Sequence, residues 1–157
     1  MLPDKPIAIA AIRDVLADEL ATVTRVAEMA QNEASSDETR QEGKYDTRAT
    51  EASYLARGQA VRVAELRRIL AWFDVFDVLA PATEVRVGAL VQLAGDLNEI
   101  VLLVPIGGAQ VTVEGQFIRA ISPASPLGRA MMDLEAEDAF EVRTPGGLKE
   151  IEVVEVR

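Results

Sequence analysis

The chain has 157 residues and contains neither cysteine nor histidine. These two absences exclude disulfides, thiolate nucleophiles, Ser-His-Asp triads and the ordinary zinc and haem sites. Any metal would have to be held by oxygen. Aromatic residues make up only 4% of the chain while apolar residues make up 49%, so the core must be built from Ala, Val, Leu and Ile. A deep aromatic-lined cofactor pocket is not expected from such a composition. Long apolar runs are also missing. The run at residues 7–12 lies between Asp4-Lys5 and Arg13-Asp14, too short and wrongly flanked for an export signal, and the run at 100–104 stops at Pro105 and reads as a buried strand. A cytoplasmic location with no membrane partner is therefore expected. With 26 acidic and 16 basic residues the formal charge is -10, which opposes free nucleic acid and anionic membranes and favours a basic or cation-loaded partner.

Glycine is scarce in the first half. Residues 1–80 hold only Gly43 and Gly58, whereas the remainder holds eight glycines, so a turn-poor segment is followed by a turn-rich one. In the first segment Ile9, Ile12, Leu16, Leu20, Val23, Ala27 and Ala30 recur at steps of three or four, one stripe of a helix. A second stripe runs through Ala52, Ala56, Ala60, Val63, Leu66, Leu70 and Phe73. Between them, residues 35–47 carry almost no apolar side chain. The pattern predicts a long antiparallel helical hairpin, a coiled coil over residues 1–80 with its tip near 36–47. Arms of roughly 25 residues would each reach about 37 Å. Trp72, Phe73 and Phe76 are expected to be core residues at the end of the second arm, with a hinge over residues 74–81.

Residues 81–157 are expected to form a second, smaller domain. Short apolar or alternating pieces at 85–87, 89–93, 99–104, 110–113, 117–122, 139–144 and 148–156 are separated by Gly95-Asp96-Leu97-Asn98, Gly107-Gly108 and Pro145-Gly146-Gly147, which predicts a small antiparallel sheet. Ser125 followed by Pro126 is the signature of a capped helix start, so one short helix should cross the sheet, with Met131 and Met132 filling core gaps. The fold class is α+β.

Chemistry is thinly distributed. Asp37, Glu38, Glu42 and Asp46 at the hairpin tip outnumber Arg40 and Lys44. The plain reading is a solvated loop; the sharper one places Glu38 and Glu42 four apart on one helical face, where two carboxylates suit magnesium. Such a tip would need a partner site to complete the metal's shell. Gly107-Gly108 lacks the lysine of a phosphate loop, and Pro145-Gly146-Gly147 lies between strands, so both read as turns.

A hairpin followed by a sheet domain containing Ile121-Ser122-Pro123-Ala124-Ser125-Pro126-Leu127-Gly128-Arg129-Ala130, then Asp138, Val142, Pro145-Gly146-Gly147 and Glu152-Val153, resembles the bacterial Gre transcript-cleavage factors (GreA/GreB-like). The resemblance covers nearly the whole chain, and residues 121–156 are its specific portion. It implies an FKBP-like C-terminal domain without isomerase chemistry and a coiled coil inserted in the secondary channel of RNA polymerase. The chain would then be no enzyme itself: it would modulate elongation, touch nascent RNA only through the polymerase, and share magnesium with the polymerase active site, which cleaves its own backtracked RNA. The implied docking residues are Ala124, Ser125 and Pro126. The family's tip pattern, Asp-x-x-Glu-Asn-Ala-Glu-Tyr, places its acidic pair on Glu38 and Gln41 when aligned on Tyr45, or on Thr39 and Glu42 when shifted by one. Either register keeps one acid. A relaxed tip would offer Glu38 and Glu42 together as assisting and metal-binding carboxylates. Two other readings remain open: a Gre-related regulator that occupies the channel without cleavage, and a coiled-coil adaptor unrelated to polymerase.

Overall fold

The structure, a computed structural model, describes residues 1–34 and 48–157. Two long helices, α1 (Lys5–Ala34) and α2 (Arg48–Val75), precede six strands and one short helix: β1 (Leu90–Gly95), β2 (Glu99–Leu103), β3 (Gln110–Val113), β4 (Gln116–Ile121), α3 (Pro126–Met131), β5 (Ala139–Thr144) and β6 (Gly147–Val156). The residues form two compact units, one made of Met1–Val15 with Trp72–Arg157 and the other of Leu16–Ala71. Compactness therefore groups the first turns of α1 and the end of α2 with the sheet, whereas composition changes only near Pro81.

In the unit Leu16–Ala71 the helices cover the periodic stripe only in part: Leu20, Val23, Ala27 and Ala56 are half-buried and Ala60 is exposed. Leu16, Ala30, Val63 and Leu66 are buried, but the stripe on α2 then passes through Ile69, which is 1% exposed, instead of Leu70. The two three-residue steps from Val63 through Leu66 to Ile69 each fall about 60° short of a full turn, so the buried line shifts around α2. Arg62 bridges the helices, donating to Glu19 at 2.7 Å and to Glu65 at 3.3 Å. Burial works against this charge, yet the bonds to Glu19 and Glu65 outweigh it and raise its pKa above the usual arginine value.

In the other unit α1 begins four residues before the apolar stripe. Asp4 is the reason: its carboxylate accepts from the Ile7 amide at 3.0 Å and its carbonyl from the Ala8 amide at 2.9 Å, and Pro6 sits in the first turn where a missing donor costs nothing. Residues 1–4 are tied to the sheet, with the Leu2 amide donating to Glu155 and Gln116 donating to the Met1 carbonyl. At the end of α2, Trp72 meets Phe73 edge-on at 4.9 Å and stacks on Phe76 at 4.6 Å. Phe76 lies over Gly88, whose φ of 94° and lack of a β-carbon let the ring close onto the backbone.

Lys5 is buried at 8% exposure, with Nζ 3.2 Å from the Ala80 carbonyl and 5.7 Å from the Phe76 ring centroid. Burial holds its pKa below the usual 10.5, Arg86 pushes the same way and Asp77 opposes. The unfolded chain thus keeps this proton to higher pH than the folded one, so stability should rise with pH in the alkaline range up to 10.5. Lys5→Met keeps the stem and removes the charge. Its urea midpoint should lack that alkaline rise; parallel midpoint curves for parent and variant would contradict this account of Lys5.

The sheet has the order β3-β4-β2-β1-β6-β5. Four of its pairings are antiparallel, but β2 and β4 run parallel, with Ile100 beside Ile118 and Leu103 beside Ile121. The sheet is therefore mixed instead of wholly antiparallel. Gly107-Gly108 is part of a connection that passes one strand position beyond β2, and the β3–β4 hairpin then returns β4 into the open slot. The piece at 85–87 forms no strand; it is held by a bridge between Glu84 and Glu135 and by the Val85 amide on the Leu134 carbonyl. One face of the sheet closes over Val91, Val101, Leu103, Ile121, Met131, Val142 and Ile151. On the opposite face of the central strands Leu90 and Leu102 stand side by side and are fully buried, while Gln92 farther along β1 is half-buried. Leu2, Ala8, Ile9 and Ile12 are the buried apolar side chains at the start of this unit that are available to cover this face.

Candidate functional site

The segment leaving β4 becomes α3 through a tightly bonded loop. Ser125 has extended geometry, φ -68° and ψ 154°, and its hydroxyl accepts from the Gly128 amide at 3.0 Å while donating to the Ser122 carbonyl at 2.8 Å. Pro126 follows at the first helical position, as the sequence signature requires. Arg129 closes the loop from the other side by donating to the Ala124 carbonyl at 3.0 Å. Ala124 and Pro126 are left exposed, whereas Ser125 is half-buried and its hydroxyl is spent inside the loop. Of the three residues implied by resemblance, two present surface and one fixes their position.

This loop is one wall of a groove of about 360 Å³. The opposite wall is the β5–β6 hairpin with Arg143, Pro145 and Lys149, and Leu97, Ile121, Leu127 and Val142 supply the apolar lining. Arg119 also reaches the groove; its Nε and Nη2 both donate to one oxygen of Glu99, at 3.0 and 2.6 Å. An apolar depression edged by fixed polar groups is suited to receiving a protein segment, not to bond chemistry: among its lining residues no nucleophile is paired with a base. Sequence reasoning found the Ser125-Pro126 wall because a cap is a local signal. It missed Arg119, Arg143 and Lys149, which come from separate strands and meet only across the groove.

The tip residues Glu38 and Glu42, together with Thr39 and Gln41, lie outside the described residues. Among the described residues no group of three acidic side chains converges to hold a metal. No described helix is long and apolar enough to cross a membrane.

Comparisons with known proteins place this architecture. The family model described as transcription elongation factor GreA/GreB, C-terminal, matches residues 80–157. The chain is 33% identical over 97 residues to transcription elongation factor GreA of Cereibacter sphaeroides, covering 61% of this chain and 62% of that protein. With GreA of Mesorhizobium japonicum it is 35% identical over 111 residues, covering 69% of this chain and 67% of the relative. The crystal structure of GreA factor homolog 1 of Thermus thermophilus is 21% identical and aligns over 94% of this chain and 95% of that one, with a TM-score of 0.37. The chain spans about three fifths of the length of the Cereibacter relative it matches. On the family-model match and the Mesorhizobium alignment together, the chain belongs to the GreA/GreB family of transcription elongation factors.

Proposed function

We propose that this chain binds RNA polymerase and adjusts elongation, with residues 81–157 docking through the exposed loop residues Ala124 and Pro126 and the helical hairpin entering the enzyme's secondary channel. The observation that carries this reading is the Ser125-capped loop at the rim of an apolar groove, inside the segment that matches the GreA/GreB model. The protein would catalyse nothing itself. It would work in the cytoplasm, act through the polymerase's own active site, and meet nascent RNA only there.

At the tip, Glu38 and Glu42 are the carboxylates that would complete the shell of a magnesium ion held jointly with the polymerase, since magnesium accepts one or two protein carboxylates and keeps its remaining positions for water or other ligands. A second reading, channel occupancy without RNA cleavage, is favoured by a specific feature: either alignment of the family's acidic pair leaves only one acid, with Gln41 or Thr39 in the other place. An amide or hydroxyl is a weaker magnesium ligand than a carboxylate.

Backtracked elongation complexes separate these possibilities. Purified protein should associate with the complex, and absence of association would end the polymerase reading. If RNA is shortened, Glu38→Ala and Glu42→Ala should each slow the shortening by about tenfold or more, because each removes a charged ligand. Shortening at the parent rate in both variants would remove magnesium from the account, and association with no shortening would establish the occupancy reading.

A further inference from the structure

Strand β5 is one edge of the sheet, and its outer backbone groups are uncovered. The Val153 amide donates to the Asp138 carbonyl at 2.9 Å, which turns residue 138 toward β6. Antiparallel pairing alternates, so Phe140, Val142 and Thr144 also turn their backbone groups to β6, and those of Ala139, Glu141 and Arg143 point away from it. None of these three has a backbone partner on its outer side among the described residues. Charge is the only usual protection of an edge that this strand has: it runs six residues in unbroken register, with no bulge, proline or lysine. The opposite edge, β3, is four residues long.

The charge on β5 is self-complementary. Glu141 and Arg143 lie two apart on the solvent face, both exposed and without an ion-pair partner among the described residues. Glu141 instead stands directly opposite Glu150 on β6, a like-charged pair that weakens the hairpin. A second β5 strand approaching antiparallel must keep Val142 of both strands on the buried face, because a one-residue slip would turn it to solvent. Three central registers meet that condition. One sets Glu141 opposite Glu141, and another sets Arg143 opposite Arg143. The third sets Val142 opposite its own copy and Glu141 of each chain opposite Arg143 of the other. We propose that this edge pairs with the same edge of a second copy of this chain in that third register, joining two sheets into one across a twofold axis. Glu141 of each copy then exchanges both backbone bonds with Arg143 of the other and gains the cation that offsets Glu150. Backbone bonds give the affinity and the charge pairs select the register. Pro145, with no amide to donate, ends the ladder opposite Ala139. The ladder is short and two copies of net charge -10 repel at long range, so the dimer belongs with the weak interfaces that bury less than about 1,200 Å².

The test is sedimentation equilibrium of the full chain alone, at physiological salt and up to about 1 mM, with amide exchange followed in parallel by NMR. The parent should dimerise. The amides of Glu141 and Arg143 should exchange more slowly as concentration rises, while that of Thr112, on the outer side of β3, should not change. Glu141→Arg and Arg143→Glu should each weaken the dimer at least about tenfold, since each turns two attractions into two repulsions. The chain carrying both substitutions, and an equimolar mixture of the two single variants, should associate within about threefold of the parent. The doubly substituted chain keeps the parent's net charge and the mixture rebuilds both ion pairs, so neither global charge nor loss of fold can imitate this pattern. A parent that stays monomeric overturns the proposal. So do single variants that dimerise as well as the parent, a doubly substituted chain or a mixture as weak as the single variants, and slowed exchange at Thr112 in place of β5, which would put the contact on the other edge.

Discussion

Gly128→Ala is expected to lower stability by about 3 kcal/mol, and Gly58→Ala to raise it by up to about 1 kcal/mol, although both replace a helical glycine by the best helix former. The difference lies in what the new methyl meets. Gly58 is exposed on α2 with nothing within 4 Å of its added β-carbon, so only the gain in helix propensity remains. Gly128 is buried on α3, and an added β-carbon would overlap the Ser122 carbonyl oxygen and crowd the Ser125 hydroxyl at 3.0 Å. The obstacle is backbone, which cannot rotate aside as a side chain tip does. It is also held there, because the Ser122 carbonyl accepts from both the Ser125 amide at 3.0 Å and the Ser125 hydroxyl at 2.8 Å. Overpacking typically costs 1–3 kcal/mol, roughly, and overrides a propensity gain of about 1. Chemical denaturation of the two variants beside the parent gives both signs. A stabilised Gly128→Ala protein would mean that the loop and α3 are not packed as described, and the docking wall would lose its basis.

Leu102→Ala is expected to cost about 3 kcal/mol, close to the cost of truncating a core leucine in general, and to lower Tm by roughly 10 °C. Leu102 is fully buried in the centre of β2, beside Leu90 on β1 and Ala120 on β4. It faces away from Val101 and Leu103, which belong to the principal core. A leucine on the outer face of a two-layer sheet with water beyond it would cost little to truncate. The large expected loss therefore tests whether that face is covered, and a loss below about 1 kcal/mol would mean it is not. Removing the N-terminal residues Met1–Pro3 takes away the buried Leu2 and the bonds that tie this segment to Glu155 and Gln116, and a smaller penalty of Leu102→Ala in that background would show that the two changes share contacts.

Local signals carried much of the architecture. The helix stripes were legible because three- and four-residue steps put side chains on one face whatever the rest of the chain does, and Ser125-Pro126 was legible because a cap and a fixed φ act within one turn. Even so, α1 starts at Lys5 and not near Ile9, since the deciding acceptor, Asp4, precedes the apolar stripe. Six of the seven apolar pieces after Pro81 became strands. Their partners were not legible. Turn residues indicate where a strand ends, but β4 lies parallel to β2 because the β2–β3 connection leaves a slot beside β2, and that is a choice between distant segments.

The absences noted at the outset were decided by composition alone. Without cysteine or histidine this chain has no thiolate or imidazole chemistry in any fold, because an absent functional group cannot be supplied by geometry. The sign of the surface that a partner would meet was another matter. A net charge of -10 is a property of the sum, whereas docking responds to the few side chains within a Debye length. Only the tertiary structure brought Arg119, Arg143 and Lys149 from three strands to the lining of one apolar groove beside the Ser125 loop.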